Sequence, residues 1–188
     1  MQFLPKQSKH IMKKSYKEYL NTITTFIFDV DGVLTNGELF IDNDGNLLRT
    51  MNVKDGYAIK VALNAGYHVA IITGGQNIPV KKRLEALGIP DVFLAVRNKI
   101  ECYENYLKAN SIESNQVLYM GDDLPDIPVM KLVGLPSCPQ DAVAEVKAIS
   151  LYVSHKEGGK ACVRDVIEQV LKVQEKWPTT DELSITSA

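Results

Sequence analysis

Phe26-Ile27-Phe28-Asp29-Val30-Asp31-Gly32 is the stretch on which the reading of this chain turns. Three apolar residues of aromatic and β-branched character predict a buried strand, which runs into two carboxylates one residue apart and then a glycine. Residues i and i+2 of a strand project to one face, so Asp29 and Asp31 are aimed into one small volume where the strand breaks at Gly32. Two like charges that close repel unless a divalent cation or a retained proton intervenes. Asp-Gly by itself reads as an ordinary turn. The apolar run before it and further acidic clusters downstream favour a site.

Working outward, apolar strand segments alternate with amphipathic helices. Strands are expected at Val69–Ile72, Val92–Ala95, Val117–Met120 and Ser150–Val153, with helices near residues 57–64, 79–87, 100–109, 142–147 and 161–174. Strands that are apolar throughout, alternating with helices, give an α/β fold: a three-layer, Rossmann-like parallel sheet covered on both faces. Leu39–Ile41 and Asn46–Met51, joined by Asp42-Asn43-Asp44-Gly45, form a small β-hairpin inserted into that pattern. Its apolar residues need cover, so an oligomer contact is expected there. Residues 1–24, with a short helix from Lys13 to Asn21, are expected as an N-terminal extension, 25–176 as the domain and 177–188 as a flexible tail.

Composition excludes several classes. The 21 Lys and Arg against 23 Asp and Glu provide no basic field for nucleic acid. No apolar run reaches the length of a membrane-spanning helix, and the first residues lack a signal-peptide core, so no membrane partner is expected and the default is cytoplasmic. Cys102, Cys138 and Cys162 are too widely spaced for a disulfide framework or a metal knuckle.

In open α/β sheets ligands sit beyond the carboxyl ends of the strands. Asp29 and Asp31 end one strand, Thr73 ends a second beside Gly74 and Gly75, and Asp122, Asp123 and Asp126 follow a third, while Lys99 opens a helix. Singly, each has a plain structural role as cap, turn or solvated charge. Jointly, they hold what phosphoryl transfer through an aspartyl-phosphate requires. Asp29 is the expected nucleophile. Asp29, Asp122 and a carbonyl near Asp31 are expected to hold Mg2+. Thr73, the amides of Gly74 and Gly75, and Lys99 would grip the phosphoryl oxygens, and Asp31 would serve as general acid and base. A phospho-receiver signalling domain uses a similar inventory but would not place both carboxylates on one strand end for acid–base chemistry.

Asp29-Val30-Asp31-Gly32-Val33-Leu34-Thr35, Thr73-Gly74, Lys99 and Gly121-Asp122-Asp123-Leu124-Pro125-Asp126 resemble the four motifs of the haloacid dehalogenase-like phosphatases. Asn52-Val53-Lys54-Asp55-Gly56-Tyr57 and Glu157-Gly158-Gly159-Lys160-Ala161-Cys162 are similar to segments of the 3-deoxy-D-manno-octulosonate 8-phosphate phosphatases within that superfamily. The resemblance implies a fold without a cap domain and a homotetramer built through the hairpin, each active site partly covered by a neighbour. It implies a Mg2+-dependent phosphomonoesterase acting on a phosphorylated sugar acid, with a nine-carbon nononate or sialate 9-phosphate as the rival substrate. By the same resemblance the metal ligands fall on Asp29, Asp31 through its carbonyl, and Asp122. Substrate contacts fall on Asp31, Asn52, Val53, Lys54, Asp55, Gly56, Lys60, Thr73, Gly74, Gly75, Arg83, Lys99 and Lys160. Gly75 and Lys160 stand where many members carry Arg, and there the substrate identity is decided.

Overall fold

The computed structural model describes residues 15–179. Six parallel strands form one sheet in the order β5-β4-β1-β6-β7-β8, with β1 Thr25–Phe28, β4 His68–Ile72, β5 Asp91–Phe93, β6 Val117–Met120, β7 Leu135–Cys138 and β8 Tyr152–Val153. A separate antiparallel pair, β2 Phe40–Ile41 and β3 Leu47–Leu48, is the hairpin. The main helices are α1 Tyr16–Leu20, α2 Val53–Asn64, α3 Ile78–Glu85, α4 Lys99–Asn110, α5 Ile127–Met130, α6 Ala144–Ile149 and α7 Cys162–Val173.

β1 lies at the centre because both of its faces are apolar. Phe26 and Phe28 enter one core layer with Ile59, Ile71, Met120 and the buried face of α7, while Ile27 enters the other with Ile72, Tyr119 and Val146. This is the period-two alternation of a strand buried on both sides. The chain runs from β1 outward to β4 and β5, then returns to β6 on the opposite side, so the strand order reverses between β1 and β6. The crevice at that reversal is where such sheets bind ligands.

Register lines up the tips. Phe28 stands opposite Ile71 of β4 and Met120 of β6. Asp29 is therefore level with Ile72 and Gly121, and Thr73 and Asp122 stand one residue beyond. After Asp29 the chain makes one wide turn over Val30–Leu34 in which Gly32 has φ +82°. A Cβ there would lie 2.0 Å from Asp122 Oδ2, so both the backbone conformation and the close approach call for glycine. A second glycine closes the turn from behind: a Cβ on Gly158 would lie 2.0 Å from the Gly32 carbonyl oxygen.

Several elements differ from expectation. α2 begins at Val53 rather than 57, because Asn52 caps it by accepting the Lys54 amide at 3.0 Å, so the polar run 53–56 is helix and not loop. β7, Leu-Pro-Ser-Cys, escapes sequence reading because proline argues against an interior strand. The expected helix at Lys13 lies partly outside the described residues; its described part, α1, packs on α7 through a Tyr16 hydroxyl donating to Gln169 Oε1 at 3.0 Å. Trp177, counted with the tail, meets Tyr57 edge-on with ring centroids 6.3 Å apart, and residues 180–188 lie outside the description. Among the described residues, no helix is long and apolar enough to cross a membrane.

Candidate active site

A cleft of about 740 Å³ opens at the carboxyl ends of β1, β4, β5 and β6. It is lined by Asp29, Asp31, Thr73, Gly74, Gly75, Lys99 and Asp122, which the structure thus brings together from four separate stretches of sequence. The loops after β4 and β5 are fastened to each other: the Ala95 amide donates to the Gly75 carbonyl at 2.9 Å and the Val96 amide to the Thr73 carbonyl at 3.0 Å. The Thr73 hydroxyl accepts the Gly75 amide at 3.1 Å, which fixes the small loop that lines the cleft.

Lys99 is the hub of the charges. Its Nζ donates to Asp29 Oδ2 at 2.8 Å and to Asp126 Oδ1 at 2.7 Å, and the side chain is 8% exposed. Burial opposes its charge, but the two carboxylates outweigh burial and hold its pKa above the ordinary lysine value. Asp126 is fully occupied. Oδ1 also accepts the Tyr119 hydroxyl at 2.7 Å, and Oδ2 accepts the Asp122 amide at 3.2 Å. The sequence groups Asp126 with Asp122 and Asp123 in an acidic cluster and gives it no role of its own; the structure places it at the start of α5 and makes it the anchor of Lys99. The signal available was its place in the acidic run four residues after Asp122.

Asp29 and Asp122 are less well compensated. Burial, with the charge of Asp126 beside it, pushes the Asp29 carboxyl up to about 6 in spite of Lys99. Burial and the charges of Asp126 and Asp29 push Asp122 up to about 7. Carboxylate oxygens of Asp29, Asp122 and Asp126 lie within 4.8 Å of one another. Asp126 accepts two donors on each oxygen, whereas Asp29 accepts one on each, the Val30 amide at 2.7 Å on Oδ1 and Lys99 on Oδ2, so the pair with lone pairs left for a cation is Asp29 and Asp122. No hydrogen-bond donor reaches the Asp122 carboxylate among the described residues. Two carboxylates raised by burial and by the negative charge around them, in a crevice with a single buried lysine, are a chemical fit for a hard divalent ion.

Two further residues, one beside the cleft and one lining it, were missed from sequence. Arg49, just after β3, forks the Asp31 carboxylate. Arg97 lines the cleft on the loop after β5, exposed and with no carboxylate within ion-pair distance among the described residues, so its guanidinium is available to an anionic substrate. Neither sits in a motif, and only the folded topology reveals them.

The remaining expected contacts lie elsewhere within the chain. Asn52, Lys54 and Lys160 line a second cavity of about 480 Å³ with Arg164 and Asp165. Asp55 and Gly56, expected among the substrate contacts, are instead buried in the first turn of α2, where Asp55 Oδ1 accepts the Arg164 amide at 2.7 Å. The reason is the early start of α2, which turns that stretch onto α7. Val53, Lys60 and Arg83 are exposed outside both cavities, and Arg83 Nη2 lies 3.2 Å from where a Gly56 Cβ would stand.

An open parallel sheet that gathers an acidic pair, a threonine-glycine loop, a buried lysine and a second acidic cluster at its reversal point is the arrangement of the haloacid dehalogenase-like hydrolases. A model of that family matches residues 91–164. The 3-deoxy-D-manno-octulosonate 8-phosphate phosphatase KdsC of Salmonella typhi is 38% identical over 169 residues, spanning 90% of this chain and 87% of that protein. This chain belongs to the family of 3-deoxy-D-manno-octulosonate 8-phosphate phosphatases. The crystal structure of the Yersinia pestis phosphatase superposes with a TM-score of 0.84 at 35% identity, covering 86% of this chain and 87% of that one. The Moraxella catarrhalis phosphatase, crystallised in complex with magnesium ion, phosphate ion and KDO, superposes with a TM-score of 0.84 at 29% identity, covering 92% and 98%.

Proposed function

We propose that this chain hydrolyses 3-deoxy-D-manno-octulosonate 8-phosphate to the free sugar acid and inorganic phosphate through an aspartyl-phosphate on Asp29. One observation carries the reading: the Asp29 carboxylate faces the cleft at the strand reversal, held by Lys99 at 2.8 Å, with Thr73, Gly74 and Gly75 across from it. Asp29 and Asp122, with the Asp31 carbonyl, would hold Mg2+, which when bound neutralises negative charge on the transferred phosphoryl group.

The chain's own groups divide the rest. An Asp29 oxygen attacks phosphorus, forming the acyl phosphate as the bond to the sugar oxygen breaks. Asp31 gives that leaving oxygen its proton. It then takes a proton from the water that attacks the acyl phosphate, which releases phosphate and restores Asp29. The Gly74 amide, the Thr73 hydroxyl and Lys99 would face the phosphoryl oxygens and stabilise their charge, with the Gly75 amide orienting the Thr73 oxygen.

The hairpin supports a homotetramer. Phe40 is 69% and Ile41 65% exposed, with Leu39, Leu47 and Leu48 exposed beside them, an apolar face that a second copy of the chain would cover. Sedimentation that shows only monomer at micromolar concentration would remove the tetramer. The three cysteines are free thiols, which supports a reducing, cytoplasmic setting.

The deciding experiment is a phosphate-release panel on octulosonate 8-phosphate, nononate 9-phosphate and sialate 9-phosphate, with Mg2+ and with chelator. The octulosonate ester is expected to have the highest kcat/KM, with turnover lost in chelator and in Asp29→Asn. A preference for either nine-carbon ester would reassign the substrate, and near-normal turnover in Asp29→Asn would dismiss the aspartyl-phosphate.

A further inference from the structure

Asp31 has a partner that the chemistry of the proposed reaction does not itself demand. Arg49 donates from Nε to Oδ1 at 2.6 Å and from Nη2 to Oδ2 at 3.0 Å. Its Nη1 donates to the Leu47 carbonyl at 3.2 Å, and the Asn77 side chain reaches the same carbonyl at 2.7 Å. The end of the hairpin is thus tied down over the cleft at two points. The Arg49 side chain is 7% exposed, whereas that of Asp31 is 37% exposed and open to the cleft.

The fork has a geometric consequence. An aspartate free of partners rotates broadly about its last torsion, but two parallel N–H donors in a rigid plane fix the carboxylate plane as well as its position. Residue 75 lies against the pair: a Cβ there would be in ordinary van der Waals contact with it, 3.4 Å from Asp31 Oδ2 and 3.8 Å from Arg49 Nη2.

We propose that Arg49 is a positioning residue of this reaction, acting through Asp31 to hold the carboxyl that delivers a proton to the leaving oxygen, so that the hairpin is part of the catalytic apparatus. The inference rests on the phosphatase reading above. Proton delivery by a placed side chain contributes about 10²–10⁴-fold, and a misplacement of about 1 Å can cost about 10²-fold. The loss on freeing Asp31 therefore depends on how much the leaving oxygen needs the proton. An alkoxide needs it strongly; a nitrophenolate leaves with little help.

The test compares kcat/KM, which excludes hydrolysis of the acyl phosphate, for Arg49→Met and Arg49→Lys against wild type on three esters: the octulosonate phosphate, a simple alkyl phosphate without a carboxylate, and p-nitrophenyl phosphate. In Arg49→Met we expect losses of about 30-fold on both alkyl esters and under about 5-fold on the aryl ester. Arg49→Lys should retain an intermediate rate, and guanidinium ion at non-denaturing concentration should restore part of the alkyl activity of Arg49→Ala. Equal losses on alkyl and aryl esters would overturn the proposal in favour of a general structural role. A loss confined to the carboxylate-bearing ester would overturn it in favour of substrate binding. Wild type inert toward all three esters would instead overturn the phosphatase reading itself.

Discussion

Two junctions of this chain each bury an aspartate to 1% exposure, and their surroundings differ completely. At the strand tips Asp126 receives Lys99, the Tyr119 hydroxyl and the Asp122 amide. At the start of α2, Asp55 receives the Arg164 amide on Oδ1, and its Oδ2 is buried without a hydrogen-bond partner. The contrast follows from the elements. Several parallel strands end in one crevice, so side chains of opposite charge from distant parts of the sequence converge there and compensate one another. Two helix starts facing each other offer a carboxylate backbone amides and little else. An acidic residue at a strand tip is therefore a candidate reagent, and one at a helix start is a candidate tie between elements.

The largest effect that could break this contrast comes from Asp126. Asp126→Ala strips Lys99 of one of its two carboxylates and leaves the Tyr119 hydroxyl and a main-chain amide unpaired in a buried place. Removing one partner of a buried, hydrogen-bonded pair costs about 3–5 kcal/mol. Urea unfolding should show a loss in that range, and phosphate release should fall as Lys99 and Asp29 move. A loss below about 1 kcal/mol would mean that Asp126 is not the anchor the geometry makes it.

How legible all this was in the sequence divides along the same line. The sheet, its two-sided burial and the convergence of Asp29, Thr73 and Asp122 could be read because each sits at or just past the end of an apolar run that marks where a strand stops, and Lys99 because it opens the helix that follows another such run. What lay beyond reading depends on contacts between segments far apart in the chain. Arg49 follows a two-residue strand and meets Asp31 only because the hairpin folds back over the cleft. Asp126 could be taken for a helix charge because its partner Lys99 is 27 residues away. The substrate role of Asp55 rests on the resemblance alone, and the sequence does not show that the Asn52 side chain caps α2, so that the helix starts early and carries Asp55 inward. β7 was hidden by Pro136, which pairs with Tyr119 inside the sheet and presents its carbonyl to the Leu151 amide.

Asp55 gives the smaller and sharper test. Burial pushes its carboxyl from the ordinary 3.8 up to about 6, only partly offset by the Arg164 amide, the Arg164 charge and the Ala161 amide. Because the folded value is the higher one, between those two pH values the folded chain keeps a proton that the unfolded chain has given up. Stability linked to Asp55 is thus greatest near pH 4, falls as pH rises through about 6 and stays low above it. At about 1.4 kcal/mol per unit the ceiling is about 3 kcal/mol, and local relaxation will reduce it. Asp55→Asn keeps an acceptor for the Arg164 amide and removes the charge. With Mg2+ present throughout, the variant should exceed wild type by about 1–3 kcal/mol at pH 8, and the gap should close toward pH 4. Because Asp29 and Asp122 are common to both proteins, the difference between the two stability curves isolates position 55. A KM for the octulosonate ester that rises tenfold in Asp55→Asn while stability stays unmoved, about 1.4 kcal/mol of lost binding, would return Asp55 to the substrate contacts. It would also mean that a helix start, and not only a strand tip, can supply this site with a reagent.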